Sequence, residues 1–321
     1  MLPNIPKSLA KTLMKTWPIY PRKDNLSLWE CFRHEVFIQA SEEDQNRIKQ
    51  QSALFTYDYE KQDGFFDHYF PNISSKEFYK KTILDLGSFT GGRLVHWVER
   101  YGFHEARGID INPIFAEAGN LFANSKGINA TFDTGFAENL PYASNSFDFV
   151  VSYDVFEHVR NIEQVMQECF RVLKSGGKLL TVFPPFFQPL EAHLGLVTKM
   201  PALQWFFSGK TITDAYIEIL KERGREAYWY DREDSELAEW ERLPSLNGIT
   251  VSKFRRIVAE NKGWNISYWG KDPILSDGRK AKMLVFRILR KLFVLPARLP
   301  ILEELFLGRI CCSLEKNLAV C

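Results

Sequence analysis

The 321-residue chain lacks several features that would classify it at once. Its five cysteines are odd in number and none form a C-x-x-C pair, which argues against a zinc ribbon or a dithiol motif and favours reduced thiols. Its 41 basic residues nearly balance 40 acidic ones, so no overall charge attracts nucleic acid. Its longest uncharged run, residues 179–190, is broken by prolines and shorter than the roughly 17 residues of a membrane span. These absences predict a cytoplasmic protein without a metal site or a membrane span.

A regular α/β pattern is present between Thr82 and Pro185. Short apolar runs alternate with segments of helical period, which is typical of βαβ units around a parallel sheet. Strands are predicted over residues 82–86, 106–111, 130–133, 147–152 and 178–183. One helix begins at Asn112-Pro113; another begins at Asn161 and is predicted to stop at Gly176-Gly177. After an irregular region, a helix over 250–261 and strands over 264–269 and 309–314 resume the pattern.

The stretch TILDLGSFTGGRLVHW, residues 82–97, joins the first strand to a helix through a glycine turn. Its glycines fall at 87, 91 and 92, a spacing that differs from the G-x-G-x-x-G of a pyrophosphate-binding turn. Asp85, two residues before the first glycine, places a negative charge near the helix N-terminus, where a phosphate would be repelled. A ligand with a positively charged group therefore fits this turn better.

Four segments in order carry a resemblance to a known family. They are ILDLGSFTG (83–91), GIDI (108–111), GFAENLP (135–141) and FDFVVS (147–152), the last followed by Glu157-His158 and by RVLK and GGK. Together they resemble the motifs of the class I S-adenosylmethionine-dependent methyltransferases, in the small-molecule branch that includes quinone-biosynthesis enzymes. The resemblance covers residues 82–185. Phe89 and Phe136 depart from it, standing where the family usually has a glycine and an acid.

The resemblance implies a fold, a cofactor and a set of site residues. The fold is a Rossmann-like, seven-stranded, mostly parallel sheet with helices on both faces, an N-terminal helical extension and inserts after strands five and six. The cofactor is S-adenosylmethionine. Its methionine end would lie at Asp85, Gly87 and Gly91, its ribose at Asp110, and its adenine against Phe136 and Ala137. The full predicted set is Asp85, Gly87, Ser88, Gly91, Asp110, Ile111, Phe136, Ala137, Ser152 and Tyr153.

Two histidines are candidate catalytic bases. Methyl transfer to a nucleophilic acceptor mainly needs alignment, whereas a hydroxyl acceptor also needs a base. His158 follows the fourth strand and His193 lies in the insert after the fifth. Each has a structural alternative, because His158 belongs to a helix-start segment and His193 to a surface insert.

The flanking regions give four predicted segments: an extension with a possible lid (1–81), the cofactor-binding core (82–185), a substrate-side insert (186–249), and a C-terminal completion of the sheet (250–321) with an amphipathic insert (281–307). The aromatic residues of the extension either form the lid or pack on the sheet; they are Phe55, Tyr57, Tyr59, Phe65, Phe66, Tyr69 and Phe70. Over 281–295, leucines share one helical face and Arg287, Arg290 and Lys291 are assigned to the opposite one. This helix either packs on its own domain or makes a peripheral membrane contact.

The predicted function is methyl transfer to a small-molecule, glycan or lipid-linked acceptor, with no nucleic acid as partner. The aromatic residues of the inserts favour an acceptor with apolar or ring surface; they include Trp205, Phe206, Phe207, Trp229 and Trp240. Two alternatives stay open: a nicotinamide-dependent oxidoreductase, and a catalytically inactive binding or scaffold protein motivated by Phe89 and Phe136. The acceptor atom and the oligomeric state are not predicted by the sequence.

Overall fold

The structure, a computed structural model, describes residues 6–18, 35–190, 194, 197–224, 246–274, 284–300 and 302–317. It divides the chain into two compact units that do not follow chain order. The sheet unit comprises residues 34–183, 256–272 and 310–321, and the insert unit comprises 1–33, 184–255 and 273–309. The predicted extension 1–81 thus contributes to both units, and the functional roles assigned to the four predicted segments stay predictions.

A seven-stranded sheet forms the sheet unit, in the order β3-β2-β1-β4-β5-β7-β6. Neighbouring strands from β3 to β5 are parallel, and β7 pairs antiparallel with β5. The strands are β1 (Thr82–Leu86), β2 (Glu105–Asp110), β3 (Ala130–Thr134), β4 (Phe147–Tyr153), β5 (Leu173–Phe183), β6 (Trp264–Pro273) and β7 (Leu307–Lys316). The predicted Rossmann-like methyltransferase sheet is therefore confirmed, and its strand order reverses between β1 and β4, where open α/β sheets bind ligands.

Helices surround this sheet, and two of them begin at predicted caps. They are α2 (Glu35–Ile38), α3 (Glu42–Asp63), α4 (Phe65–Tyr69), α5 (Gly92–Tyr101), α6 (Pro113–Lys126) and α7 (Ile162–Val172). The Asn112 side chain accepts a hydrogen bond from the Ile114 N–H, and the Asn161 side chain accepts one from the Gln164 N–H. These short polar side chains satisfy backbone donors that the first helical turn leaves unpaired, and so fix where α6 and α7 begin.

The predicted end of α7 at Gly176-Gly177 is wrong. The helix ends at Val172 because Leu173 takes extended backbone and pairs with Phe147 at the start of β5. The register then shifts before Phe149, and Gly176 adopts a positive φ of 74° within this irregular segment. The two glycines therefore form a bulge in a strand, where glycine is also common.

Helix α3, which precedes β1 in the chain, packs on the glycine turn that follows β1. A methyl group at Gly92 would lie 1.8 Å from the Ala53 carbonyl oxygen, so α3 and the start of α5 touch backbone to backbone. Of the seven aromatic residues of the extension, five are buried, namely Tyr57, Phe65, Phe66, Tyr69 and Phe70. These five belong to a buried core cluster that includes residues of the sheet, and a role of the extension as a lid stays a prediction. Cys169, Cys311 and Cys312 are buried and free.

The insert unit is largely helical. Its helices are α1 (Lys7–Thr16), α8 (Leu203–Phe206), α9 (Gly209–Glu222), the first half of α10 (Val251–Glu260), α11 (Leu284–Arg298) and α12 (Glu303–Phe306). Lysines of α1 pair with Glu218 and Glu222 of α9. Residues 225–245 lie outside the described residues. Among the helices of the described ranges, none is long and apolar enough to cross a membrane.

Candidate functional site

The turn between β1 and α5 lies at the carboxyl edge of the sheet, and its conformation is set by glycines and by Phe89. Gly87 has φ of 62° and Gly91 has φ of 79°, values that other residues adopt at a cost. Added methyl groups there would lie 2.3 Å from the Val155 side chain and 2.6 Å from the Phe132 ring. The glycines are thus required first by close packing within the protein.

Phe89 occupies the left-handed region as a non-glycine residue, with φ of 49°. Its ring contacts the ring of Phe115 in α6 edge-on, with centroids 4.5 Å apart. Its backbone N–H donates to Asp110 Oδ2 at 3.0 Å. Packing and this hydrogen bond offset the strain of a few kcal/mol at most that such backbone carries. Phe89 therefore does not distort the turn; it links the turn to α6 and to the end of β2.

Asp110 ends β2 with a buried carboxylate that points along the sheet edge. Oδ2 accepts from the Phe89 N–H and Oδ1 from the Asn112 N–H, both at 3.0 Å. Burial raises the pKa of Asp110 to about 6, against the lowering effect of these backbone donors. A carboxylate offers about four acceptor positions. The Ile111 N–H is a third backbone donor to this carboxylate, which therefore still has acceptor capacity for a ligand hydroxyl.

Two exposed apolar side chains flank Asp110. Ile111 follows it directly and Phe136 follows the neighbouring strand β3; their exposed fractions are 47% and 57%. The two strand ends are joined by a hydrogen bond from the Gly135 N–H to the Asp110 carbonyl at 3.0 Å. Ala137, next to Phe136, is buried. Large apolar residues this exposed beside a polar strand end favour a flat ligand group with an apolar face.

On the other side of the turn lies a buried charge cluster, defined here as Glu60, Asp85, Arg93, Trp97 and Tyr153. Asp85 is fully buried, and both its carboxylate oxygens accept from Arg93 Nη2, at 2.9 and 3.2 Å. The guanidinium also lies 5.2 Å from the Trp97 ring centroid and 5.3 Å from that of Tyr153. Burial raises the pKa of Asp85, and the charge of Arg93 opposes that rise. Arg93 always carries its charge, so it balances Asp85.

This pairing changes one argument from the sequence. Asp85 was taken to disfavour phosphate because its charge would repel one, but Arg93 neutralises that charge. Of the two arguments against a pyrophosphate-binding turn, the glycine spacing still holds. Direct contact between Asp85 and a cofactor stays a prediction.

Glu60 completes the buried charge cluster from helix α3. Its Oε1 accepts from Trp97 Nε1 at 2.6 Å and from the Phe65 N–H at 2.9 Å. Burial raises the pKa of Glu60 to about 7, while the Trp97 and Phe65 hydrogen bonds and Arg93 lower it. Neither Glu60 nor Arg93 was predicted from the sequence. The signal available for Arg93 was the buried strand-end acid itself, since Asp85 requires a cation and Arg93 is the first basic residue after it.

The remaining predicted residues are less directly placed in the site. The Ser88 and Ser152 hydroxyls are buried and have no hydrogen-bond partner in the described part of the chain. Tyr153 ends β4, and its hydroxyl lies 3.4 Å from that of Tyr69. His158 lies in the turn after β4 and is partly exposed, with Nε2 3.8 Å from Glu157 Oε1. His193 lies outside the described residues. Catalytic roles for both histidines stay predictions.

Comparison with known proteins shows what the segment that carries this edge is similar to. Residues 84–181 match the sequence profile of a family described as a methyltransferase domain. Similar proteins include the ubiquinone/menaquinone biosynthesis C-methyltransferase UbiE of Rhizobium meliloti, 37% identical over 47% of this chain and 59% of its own. The norajmaline N-methyltransferase of Rauvolfia serpentina is 33% identical over 31% of this chain and 35% of its own. A rice protein named as a probable tocopherol O-methyltransferase is 31% identical over 32% of this chain and 28% of its own.

The similarity is confined to part of each protein. This chain spans 28 to 59% of the length of these three relatives. A solved structure of geranyl diphosphate methyltransferase in complex with S-adenosylmethionine aligns over 84% of this chain and 86% of its own, at a TM-score of 0.45 and 15% identity. Residues 84–181, which match the family profile, run from β1 to β5 and contain nearly all of the site residues described above. Residues 84–181 therefore match a methyltransferase domain, and over this segment the chain resembles S-adenosylmethionine-dependent methyltransferases of the quinone-biosynthesis type.

Proposed function

We propose that this chain transfers a methyl group from S-adenosylmethionine to a small-molecule acceptor. The observation that carries the proposal is the carboxyl edge of β2 and β3, where the buried Asp110 carboxylate lies between two exposed apolar side chains. The family supplies the cofactor class, and this edge supplies matching chemistry for an adenosyl group.

The residues present fit the adenosine part of the cofactor. The remaining acceptor capacity of the Asp110 carboxylate suits a ribose hydroxyl, because a carboxylate oxygen accepts hydrogen bonds and donates none. The exposed faces of Ile111 and Phe136 suit the flat adenine ring, and stacking of a base on an aromatic ring contributes about 1–3 kcal/mol. Phe136 thus replaces a polar contact to the adenine edge by an apolar contact to its face.

The turn side fits the methionine part. Arg93 Nε is buried and has no acceptor among the described residues, whereas Nη2 is held by Asp85. A ligand carboxylate would supply the missing acceptor. The balanced Asp85–Arg93 pair does not repel a cationic sulfonium. Asp85, in this proposal, holds Arg93 in place, and Gly87 and Gly91 bring backbone close to the ligand.

The chemistry divides between the cofactor and the chain. When bound, S-adenosylmethionine supplies a methyl group already activated for attack by a nucleophile. The chain's own task is to hold acceptor and donor in line and to exclude water. For a hydroxyl acceptor a base must take the proton, and His158 and His193 are the candidates from the sequence.

The chemical class of the methyl acceptor is the less specific part of this proposal. The relatives are named as a C-methyltransferase of ubiquinone/menaquinone biosynthesis, a norajmaline N-methyltransferase and a probable tocopherol O-methyltransferase, so no single acceptor atom is favoured. An acceptor with apolar or ring surface is supported by Phe206, which is 56% exposed in the insert unit. Trp205 donates to the Phe187 carbonyl and Phe207 is buried, while Trp229 and Trp240 lie outside the described residues.

Calorimetric titration with S-adenosylhomocysteine and S-adenosylmethionine tests the cofactor half of this proposal. We expect micromolar binding that Asp110→Asn weakens at least tenfold, because a charged acceptor of a ribose hydroxyl is lost. The matched control is Asp148→Asn, since Asp148 lies at the opposite, amino end of β4 and bonds Thr82 and Lys174. Equal weakening by both variants would contradict the assigned site.

Two further outcomes address the alternatives. Binding of a nicotinamide dinucleotide in place of S-adenosylhomocysteine would support the oxidoreductase. No binding of either cofactor by the folded protein would support the scaffold. If the cofactor binds, radiolabelled methyl transfer to quinone, phenolic and glycan acceptor panels measures the activity itself.

A further inference from the structure

Helix α11 presents an apolar stripe to solvent. The stripe consists of Leu284, Ile288, Leu292 and Leu295, whose exposed fractions lie between 55% and 70%. Their spacing places them along one side of a helix. Leu289 and Leu299, 40% and 45% exposed, extend the same surface. No described residue covers this face. The solvent-facing side of a surface helix normally carries polar residues instead.

The other side of α11 is the one that packs on the protein. Ala297 is buried, and the Phe293 ring stacks on Phe306 of α12 with centroids 5.9 Å apart. Helix α12 is held in turn by Glu303, which pairs with Arg255, and by Glu304, which accepts from the Val251 and Ser252 N–H groups. The stripe is therefore the outward face of a helix that is fixed to the insert unit by its opposite side.

Basic residues border the stripe. Arg287 and Lys291 follow Leu284 by three and seven residues, so they lie beside it, and both are exposed. The sequence-based assignment of these residues to the opposite face is wrong, because that face is the packed one. Neither residue has an acidic partner in the described part of the chain.

The sequence around α11 is one-sided in charge. Residues 278–302 contain seven basic and no acidic residues, leaving 34 basic against 40 acidic residues in the rest of the chain. A chain that is nearly neutral overall thus concentrates positive charge where it exposes apolar side chains. Long basic side chains bordering an apolar face can keep their charges in the headgroup region of a membrane.

We propose that α11 docks in the plane of an anionic lipid bilayer, with the apolar stripe inserted among the acyl chains and Arg287 and Lys291 at the phosphates. The helix has 15 residues and is about 22 Å long, too short to cross a bilayer of about 30 Å. Lying in the plane, it can bury the whole stripe at once. Charge complementarity selects an anionic surface over a second copy of the chain, since two copies would bring the same positive charges together.

Vesicle flotation of the full chain tests this proposal. We expect binding to phosphatidylglycerol vesicles and much weaker binding to phosphatidylcholine vesicles, with loss of binding at high salt. Ile288→Glu should lower the partition coefficient at least tenfold, because it removes an inserted side chain and adds a repelled charge. Ile266→Glu in β6 is the matched control, since Ile266 is 56% exposed and Ile288 55%. The control should leave partitioning unchanged.

A second variant tests the contribution of the basic residues separately from that of the apolar stripe. Arg287→Gln/Lys291→Gln keeps the stripe and should lower binding roughly fivefold for each charge removed. Equal binding to both vesicle types, or a loss of the same size with Ile266→Glu, would overturn the proposal. Light scattering that shows a dimer broken by Ile288→Glu, without vesicle binding, would assign the stripe to a second copy of the chain. None of these readouts depends on methyl transfer, so either proposal can fail alone.

Discussion

The buried charge cluster and the apolar stripe depart from ordinary folding chemistry in opposite directions. Around Asp85, two carboxylates and a guanidinium are removed from water, which costs free energy that only pairing and hydrogen bonding offset. Along α11, leucines stay in water and give up the stabilisation that burial would provide. The charged groups of the buried charge cluster are held in the fold by their partners, whereas the exposed side chains of the apolar stripe contribute little to the stability of the fold.

This difference separates two kinds of functional residue. Substitution in the buried charge cluster should change the stability of the fold and the ligand site together, because each charged group depends on the others. Substitution in the apolar stripe should leave the fold intact and change only what the stripe touches. Stability measurements therefore distinguish the two regions before any ligand is known.

The largest expected effect comes from removing Arg93. Arg93→Ala leaves Asp85 buried without its cation, and breaking a buried ion pair in this way typically costs about 3–5 kcal/mol. Urea unfolding at neutral pH measures the change. The double variant Asp85→Leu/Arg93→Met removes both charges and should recover most of the loss. A loss below about 1 kcal/mol for Arg93→Ala would mean that Asp85 is not held by this pair.

Glu60 should make stability depend on pH in a defined direction. Its pKa is raised from 4.5 to about 7, so the folded protein keeps this proton to higher pH than the unfolded chain does. Its contribution to the free energy of unfolding is therefore greatest below pH 4.5 and declines as pH rises through 7. Glu60→Gln keeps an acceptor oxygen for Trp97 and Phe65 without the charge.

The comparison of wild type with Glu60→Gln isolates this group from the other buried acids. At pH 8 we expect the variant to be about 3 kcal/mol more stable, since a pKa raised from 4.5 to about 7 penalises the ionised folded protein by about 1.4 kcal/mol per pH unit of that interval. At pH 4.5 the two proteins should unfold alike. A variant that is equally stabilised, or destabilised, at both pH values would show that the charge of Glu60 is not what burial penalises.

Asp110 should give the cofactor affinity its own pH dependence. Burial raises its pKa to about 6, and the ionised form is the better acceptor of a hydroxyl. Affinity for S-adenosylhomocysteine should thus be constant above pH 7 and fall as pH drops through 6, by about tenfold at pH 5. Titration calorimetry of wild type and Asp110→Asn across this range measures it. The weaker binding of the variant should not share that decline; a parallel decline would assign the pH dependence to another group.

Much of the sheet unit follows from local sequence. β1 matches its predicted bounds because its apolar run ends at a glycine turn, and α6 begins as predicted because Asn112 and Pro113 serve as cap and first residue. The end of α7 was mispredicted because an apolar residue such as Leu173 fits a helix and a strand equally well. In the structure Leu173 pairs with Phe147 and so begins β5. A helix pattern does not contain that information, since Phe147 lies in the neighbouring strand β4, 26 residues earlier in the chain.

The site was predictable where residues sit at strand ends and less so where partners come from elsewhere. Asp110 and Phe136 were identified through the family resemblance of their segments, and the structure places them at the end of β2 and just after β3. Glu60 was missed because its link to Trp97 depends on how α3 packs, a contact across 37 residues of chain. The φ of Phe89 was equally hidden, because it depends on the Phe115 ring and the Asp110 carboxylate together.

The smallest expected effect belongs to the apolar stripe. Leu292 is 66% exposed in the folded protein, so unfolding adds little to its contact with water. Leu292→Gln keeps a good helix former and should change the free energy of unfolding by less than about 0.5 kcal/mol. Leu94 of α5 is fully buried, and Leu94→Ala should cost about 2–5 kcal/mol in the same urea titration. If Leu292→Gln proved comparably costly, other parts of the chain would have to bury the stripe, and α11 would belong to the core rather than to a surface held ready for a membrane.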